Sequence, residues 1–572
     1  MTEERPARFD ARVAPFLIAL VAGATYAFSL DRDVGFWDTG ELQTVPYILG
    51  LMHPTGYPAE ILIGWLFTHA LPFGDVALRM NLLCMLCVVV AAACCCALAQ
   101  LLGARAAVAG GAALCFAFTP VVWAHATHAD VTDPALALCA LTLLANGLGI
   151  ARGAPSWLFV AALCAGLALG THGTVVWFLP LPLLLVVASG KRALLRVLPA
   201  CVAVSLVLAA ALYAYLPLRS ALVTREQLAW ERASALGPGM PFWDLGHPST
   251  LSGFLDVVSG RSVDAPHSLA ALLEPAGYLH DVAFLCGRLG DNYAAPILVL
   301  VLALAVVGAW GSWQRGLLFL PFVLVTPFAA NFAGESDVSR YYSFPLLCLW
   351  VLTALGLSRL AQSVSGRTAG IARGSAVLPA ARASAVALVA CAFAVVLVAF
   401  TAFEAYQGRA TFAQRDDVLG RTYVANVLAT TEPRAIVIAE WVYATPLAYA
   451  AYVEHITAER IVVAGSAQSL ASHLPAWTRE RAVYAIAEQP PAVSGPVVLV
   501  CAMHVNPDAA HDPKLYRLGA RSENPTGSAP IRNSTGPAPI RNSTGSAHDP
   551  KTHQRRRGSE GGAHPSRAWP VR

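Results

Sequence analysis

The residues able to do chemistry in this chain lie between its apolar runs, gathered on alternate connections. After the first run come Asp31-Arg32-Asp33 and then WDTGE, in which Asp38 and Glu41 stand three residues apart. On a helical turn that spacing puts both carboxylates on one face. Two carboxylates held together divide into a base and a partner that tunes it. His53 follows in MHPTGYP, whose Pro and Gly residues fix a tight turn, and Arg79 and Asn81 follow in LRMN. VVWAHATHADVTDP then gathers His125, His128, Asp130 and Asp133 within nine residues, a donor set that suits a divalent cation. His172 sits in GTHG, Arg219 in YLPLRS, and Glu335, Asp337 and Arg340 in GESDVSRYYSFP. A guanidinium fork at a membrane boundary suits a phosphate. Plainer readings stand beside these. Asp38 would cap a helix begun at Thr39, with Glu41 completing a capping box. Asp133 would cap a helix begun at Pro134. His172 would simply be interfacial, and Arg219 would snorkel to headgroups.

The elements that position these groups are apolar helices. The 572 residues are 56% hydrophobic and 13% charged, against about 25% charged in a soluble domain. The net charge of +4 and the lack of a basic stripe exclude a nucleic-acid partner. The 13 cysteines fall mostly inside apolar runs and read as small buried hydrophobes. Cys84 and Cys87 form a single CxxC with no second pair, so no metal site is assigned to them. A span takes about 20 apolar residues. Eleven candidates emerge: 13–30, 82–101, 106–122, 134–150, 156–170, 175–188, 197–216, 294–311, 316–332, 342–360 and 383–401. The run 13–30 reads as a retained signal anchor, and 59–71 as a re-entrant or interfacial helix.

Lys and Arg in the short connections set the orientation. Arg5, Arg8, Arg12, Arg105, Arg152, Lys191, Arg192, Arg196, Arg315, Arg367, Arg373 and Arg382 all fall on one set of connections, which reads as cytoplasmic. The opposite set holds 31–81, 123–133, 171–174, 217–293, 333–341 and everything after 402. The expected organisation is a cytoplasmic N-terminus (1–12) and a transmembrane domain (13–401) with a catalytic outer loop (31–81) and a long outer loop (217–293). A small α/β extracytoplasmic domain (402–519) and a disordered tail (520–572) follow. The α/β reading rests on AIVIAE, RIVVAG, AVYAIAE and PVVLVCAM, which read as short buried strands with helix-like stretches between them. No G-x-G-x-x-G accompanies them. The tail repeats APIRNSTG and is low in complexity.

Taken in order and spacing, WDTGE, HPTGYP, ALRMNLL, VVWAHATHADV, GLALGTHG, and YLPLRS with WDLGHPSTLSGF resemble the multispanning family called domain of unknown function 2723. That family is related to an animal protein O-mannosyltransferase, transmembrane protein 260. The resemblance covers roughly residues 13–350. It implies a GT-C fold glycosyltransferase that passes a sugar, mannose being one candidate, from a polyprenyl-phosphate carrier to an acceptor outside the cytoplasm. It also implies that the acid of the first outer loop, here Asp38, acts at the reaction centre, with Glu41 beside it. The family commonly has Glu and Tyr where this chain has Asp130 and Thr132.

The chemistry assigns Asp38 as base, Arg219 and Arg340 as phosphate clamps with Arg79 as a further candidate, and His53 and His172 as groups that position sugar or phosphate. Asn81 and Asp130 complete the expected substrate-binding set. Direct displacement would invert the anomeric centre. No metal ligand set is assigned and no nucleotide is required at the site, in keeping with the absence of a GxxxxGK loop, while a divalent cation could assist. The expected partners are the lipid-linked donor, a protein or glycan acceptor, and membrane lipid. The Ala-, Arg- and Gly-rich composition reads as that of a GC-rich bacterium, which places the chain in the inner membrane. A polytopic transporter or lipid flippase is the alternative. The near absence of ionisable groups inside the spans counts against it.

Overall fold

The computed structural model describes residues 10–222, 244–261, 278–331, 338–371, 395–396, 398–399, 402–403, 406, 415–503 and 512–519. Much of the loop 217–293, most of the run 383–401, Glu335 and Asp337, and the tail 520–572 lie outside the described residues.

The described chain is mostly helical. Helices α1 (Asp10–Ser29), α2 (Trp37–Thr44), α3 (Pro58–Ala70) and α4 (Val76–Leu101) open it. Among the described residues, five helices are long and apolar enough to cross a membrane: Val76–Leu101, Asp133–Arg152, Arg192–Leu222, Trp313–Ala330 and Val338–Ser363. A sixth span results if Leu279–Gly290 and Ala295–Ala309, bent by 112° at their junction, count as one. Val13–Ser29, Ala106–Ala117, Pro155–Leu169 and Val175–Ser189 are shorter apolar helices. The chain is thus multi-pass in composition. Several of the eleven expected runs form helices too short for the length criterion, and the last lies largely outside the described residues. α4 starts six residues before the expected 82 because Asp75 caps it, its side chain accepting from the Leu78 N–H at 2.8 Å. α3 falls on the expected short segment 59–71.

The C-terminal part carries a five-stranded sheet in the order β2-β1-β3-β5-β4. Its strands are β1 (Ile436–Ala439), β2 (Ile461–Ala464), β3 (Val483–Ala487), β4 (Val497–Ala502) and β5 (Lys514–Leu518). β1 pairs in parallel with β2 and with β3, while β5 pairs antiparallel with β3 and with β4. Four strands fall where the apolar runs place them; β5 does not announce itself.

This unit does not stand apart from the helices. Val437, Ala439, Tyr423, Tyr443 and Leu447 share one buried cluster with Leu42, Val45, Met52, Ile61 and Met80 from α2, α3, α4 and their connections. Arg421 and Gly420 fix the seam. Arg421, on the helix Leu419–Thr430, meets Asp33 (3.0 Å), Asp75 (2.6 Å) and Glu454 (2.7 Å). Its neighbour Gly420 lies so close to Val34 that an added Cβ would sit 1.9 Å from the Val34 carbonyl oxygen. Gly420→Ala is therefore expected to lift that helix off the first connection, at an overpacking cost of about 1–3 kcal/mol. Limited proteolysis of the detergent-solubilised protein reads this. Faster cleavage between 402 and 418 is expected, and an unchanged rate would contradict the docking.

Candidate active site

Three connections far apart in sequence meet at Arg340. Its Nη1 donates to Asp38 Oδ2 at 2.8 Å and to Asp130 Oδ2 at 3.0 Å. Asp38 comes from α2, Asp130 from the turn before the helix Asp133–Arg152, and Arg340 from a short 3-10 turn, Val338–Tyr342. His53 Nε2 lies 3.7 Å from the other oxygen of Asp38. Exposure separates these groups. The side chains of Asp38, Arg340 and His53 are 13–15% exposed, whereas Asp130 is 2% and Glu41 0% exposed. A substrate can touch the first three; the other two stand behind them.

The backing residues make the arrangement rigid. Glu41 accepts from the His53 backbone N–H at 3.0 Å and pairs with His53 Nδ1. Tyr57 Oη lies 2.9 Å from His53 Nε2 and donates to the Pro54 carbonyl. Burial alone would discharge His53, but Glu41 and then Asp38 carry its pKa above the ordinary value. Asp130 accepts from the Thr132 N–H and hydroxyl, and His125 Nδ1 lies 3.1 Å away. Burial opposes its charge, yet Arg340, His125 and His128 hold its carboxyl well below the usual range. His172 stacks on Tyr57 and tilts against Tyr341. Burial and then Arg340 push it down to about 3, so it is a neutral ring.

Other expected site residues have structural duties. Arg79 spends its guanidinium on the carbonyls of Thr68, Phe73 and Gly74, away from Asp38, and so is no phosphate clamp in this conformation. Arg219 donates to the carbonyls of Leu49 and Ile48. Asn81 is fully buried and ties three segments together, donating to Asp31 O while accepting from the Ala129 N–H and the Gln43 amide. The capping expectations also change. α2 begins at Trp37, not Thr39, so Asp38 lies inside the first turn and Phe36 holds the N-cap position with no side-chain cap. Asp133 is the first residue of its helix, with Thr132 at the N-cap position.

Four groups at or behind the site were missed. Trp37 is 57% exposed and holds a left-handed φ of 55° beside Asp38. A bulky residue rarely keeps such a backbone outside a functional or strained position. Trp441, just after β1, sits edge-on to His53 at 5.1 Å. Tyr341 packs against His172. Glu60, in α3, is wholly buried with neither carboxyl oxygen hydrogen-bonded. Burial, then Asp130, Asp133 and Asp38, push its pKa well above the usual carboxylate range. The sequence did carry a signal for it, a lone acid inside AEILIGWLFTHAL.

Asp31, at the foot of the same network, gives a pH test. Burial and then the neighbouring Asp417 and Asp33 raise it to about 7, against a partial offset from the Asp33 N–H. Between about pH 4 and 7 the folded chain keeps a proton that the unfolded chain releases, so stability falls as pH rises through that window. Asp31→Asn removes the cost. Its Tm is expected to exceed the wild-type value by several degrees near pH 8 and to match it near pH 4. A difference independent of pH would contradict the assignment.

Two clusters have the donors for a divalent cation, Asp38 with Glu41 and His53, and His125 with His128 and Asp130. In each the ligand atoms lie within 4.8 Å of one another. The Arg340 guanidinium already lies between the two, bonded to one carboxylate of each. A cation bridging Asp38 and Asp130 would have to displace it.

Comparison with known proteins adds a likeness over part of the chain. The family model described as "Protein O-mannosyl-transferase TMEM260 N-terminal domain" matches residues 38–195. The match covers less than half of the chain. The mouse protein named "Protein O-mannosyl-transferase TMEM260" is 44% identical over 61 residues, 11% of this chain and 9% of the mouse protein. The matched segment holds Asp38, Glu41, His53, Asp130 and His172; Arg340 and Trp441 lie beyond it. Among solved structures, the Archaeoglobus fulgidus oligosaccharyltransferase in complex with Zn and sulfate is 12% identical, with a TM-score of 0.48 over 83% of this chain and 68% of that one. Its apo form is also 12% identical, with a TM-score of 0.49 over 84% and 70%.

Proposed function

We propose that this chain is a membrane glycosyltransferase of the GT-C type. It takes a sugar from a polyprenyl-phosphate carrier and passes it to an acceptor hydroxyl on the extracytoplasmic face of a bacterial inner membrane. The observation that carries the reading is the Asp38–Arg340 pair within hydrogen-bond distance, partly open, at a site that begins with a TMEM260 N-terminal segment. Mannose is the proposed sugar because the mouse relative is named for it.

In this reading Asp38 takes the acceptor proton. The acceptor oxygen bonds to C1 of the sugar as the C1–O bond to phosphate breaks, its electron pair leaving with the polyprenyl phosphate. Attack opposite the leaving group inverts C1. Arg340, partly exposed and hydrogen-bonded to Asp38, stabilises the departing phosphate. As the guanidinium turns to that phosphate, it releases the Asp38 oxygen it holds at 2.8 Å. Glu41 acts through His53 and Asp130 through Arg340, so both are positioning residues. Arg219 keeps a phosphate role only if donor binding frees it from Leu49.

Donor choice tests the reading. Purified protein in liposomes is given labelled polyprenyl-phosphate mannose or a nucleotide-linked mannose. Turnover of the lipid-linked sugar alone is expected. Consumption of the nucleotide sugar, or solute flux with no lipid-linked sugar present, would replace the reading with another.

A further inference from the structure

The parallel part of the sheet contains a switch point that faces the site. β1 leads through the helix Trp441–Tyr452 to β2 on one side, and β2 leads through the helix Leu474–Glu480 to β3 on the other side of β1. Ligands of open parallel sheets bind in the crevice outside the carboxyl ends of the strands where the order reverses. Here that crevice lies between the ends of β1 and β3. Glu440 and Trp441 follow β1, and Glu488 follows β3. Tyr443 donates to Glu488 Oε1 at 3.2 Å.

A second, independent observation joins the crevice to Asp38. The Trp441 ring lies 5.9 Å from exposed Trp37 in a T-shaped contact and 5.1 Å from His53. The Trp441 Nε1–H is buried without a hydrogen-bond partner. Buried indole N–H groups normally find one. The helix that carries Trp441 is held on α2 at close range: a Cβ at Gly40 would meet Thr445 Oγ1 at 2.8 Å. That close approach seats the start of the helix, and Trp441 with it, beside α2.

We propose that this crevice is the acceptor subsite and that the acceptor it takes is a saccharide. The inference rests on the transferase reading above. Among the described residues β1 and β3 are both inner strands, so neither offers a free edge to an extended peptide at this point. What remains are two indole surfaces, one unsatisfied N–H donor and the carboxylates of Glu440 and Glu488. Those groups suit the apolar ring face and the hydroxyls of a sugar. The C-terminal sheet would thus complete the active site directly.

The test uses the full-length protein, labelled polyprenyl-phosphate mannose as donor, and either mannobiose or a threonine-rich peptide as acceptor. Trp441→Ala is expected to raise the mannobiose KM by on the order of tenfold or more. Trp441→Phe, which keeps a ring and loses the N–H, should fall between it and wild type. Donor KM should stay within about twofold, a split that a general loss of structure would not give. Glu488→Gln, a smaller change, should also raise the mannobiose KM. An unchanged mannobiose KM in Trp441→Ala, or modification of the peptide in place of mannobiose, would overturn the proposal. Should wild type turn over no lipid-linked donor, the transferase reading fails. The crevice is then decided by mannobiose-dependent tryptophan fluorescence without donor, expected in wild type and weakened in Trp441→Phe. Equal responses in the two would remove the subsite as well.

Discussion

Asp38→Asn is expected to lower sugar transfer by on the order of 10²–10⁴-fold, the usual contribution of a positioned acid–base group. The substitution keeps size and leaves an oxygen for Arg340 to contact at the 2.8 Å position. Folding should be nearly unaffected, and donor binding should survive. The loss should therefore appear in kcat with little change in donor KM. Glu41→Gln is the control. Glu41 is fully buried and reaches only His53, so its replacement should cost transfer less than Asp38→Asn while lowering Tm. If the two variants lost equal activity, the division into a reacting and a positioning carboxylate would be wrong. Transfer assays with matched thermal melts measure both quantities.

Arg340→Met is expected to damage stability and chemistry together. It strips the cation from Asp130, whose side chain is only 2% exposed, and from Asp38. Removing one member of a buried pair costs about 3–5 kcal/mol because the other charge is stranded. Asp38 and Arg340 are partly open here, so the lower end of that range applies. Transfer should fall by on the order of 10²-fold or more, since removing one donor to a developing anion costs that much elsewhere. The combination Arg340→Met with Asp130→Asn should recover part of the stability, because the charge then left beside the apolar chain is that of Asp38, which is partly exposed and keeps His53 at 3.7 Å. It should not recover transfer. Arg340→Lys should keep some of both, with a point charge in place of the fork. Recovery of activity in the double variant would assign Arg340 a purely structural role.

Much of this arrangement was legible in the sequence, for definable reasons. A run such as Val76–Leu101 has only one comfortable environment, so its helix is readable from apolarity alone. WDTGE was readable because two acids on one turn stand out against an apolar background. What the sequence could not reveal is the partner across space. Asp38 and Arg340 are 302 residues apart, and nothing local says that they meet. The same holds for Trp441, which reads as one aromatic among apolar residues until the sheet brings it against His53. Arg79 illustrates the converse error. Its charge suggested a phosphate, yet the turn Thr68–Gly74 exposes carbonyls that need donors, and the guanidinium satisfies three of them. β5 was missed because KLYRL mixes charged and apolar residues at an antiparallel position, where one face is less buried than in β1.

One measurement bears on the transferase claim most directly: product stoichiometry from purified protein in liposomes supplied with polyprenyl-phosphate sugar and acceptor. Mass spectrometry should find one polyprenyl phosphate released for each glycosylated acceptor, with the anomeric configuration inverted, and neither product above background for Asp38→Asn. An intact donor beside unmodified acceptor, or equal yields from wild type and Asp38→Asn, would contradict the account.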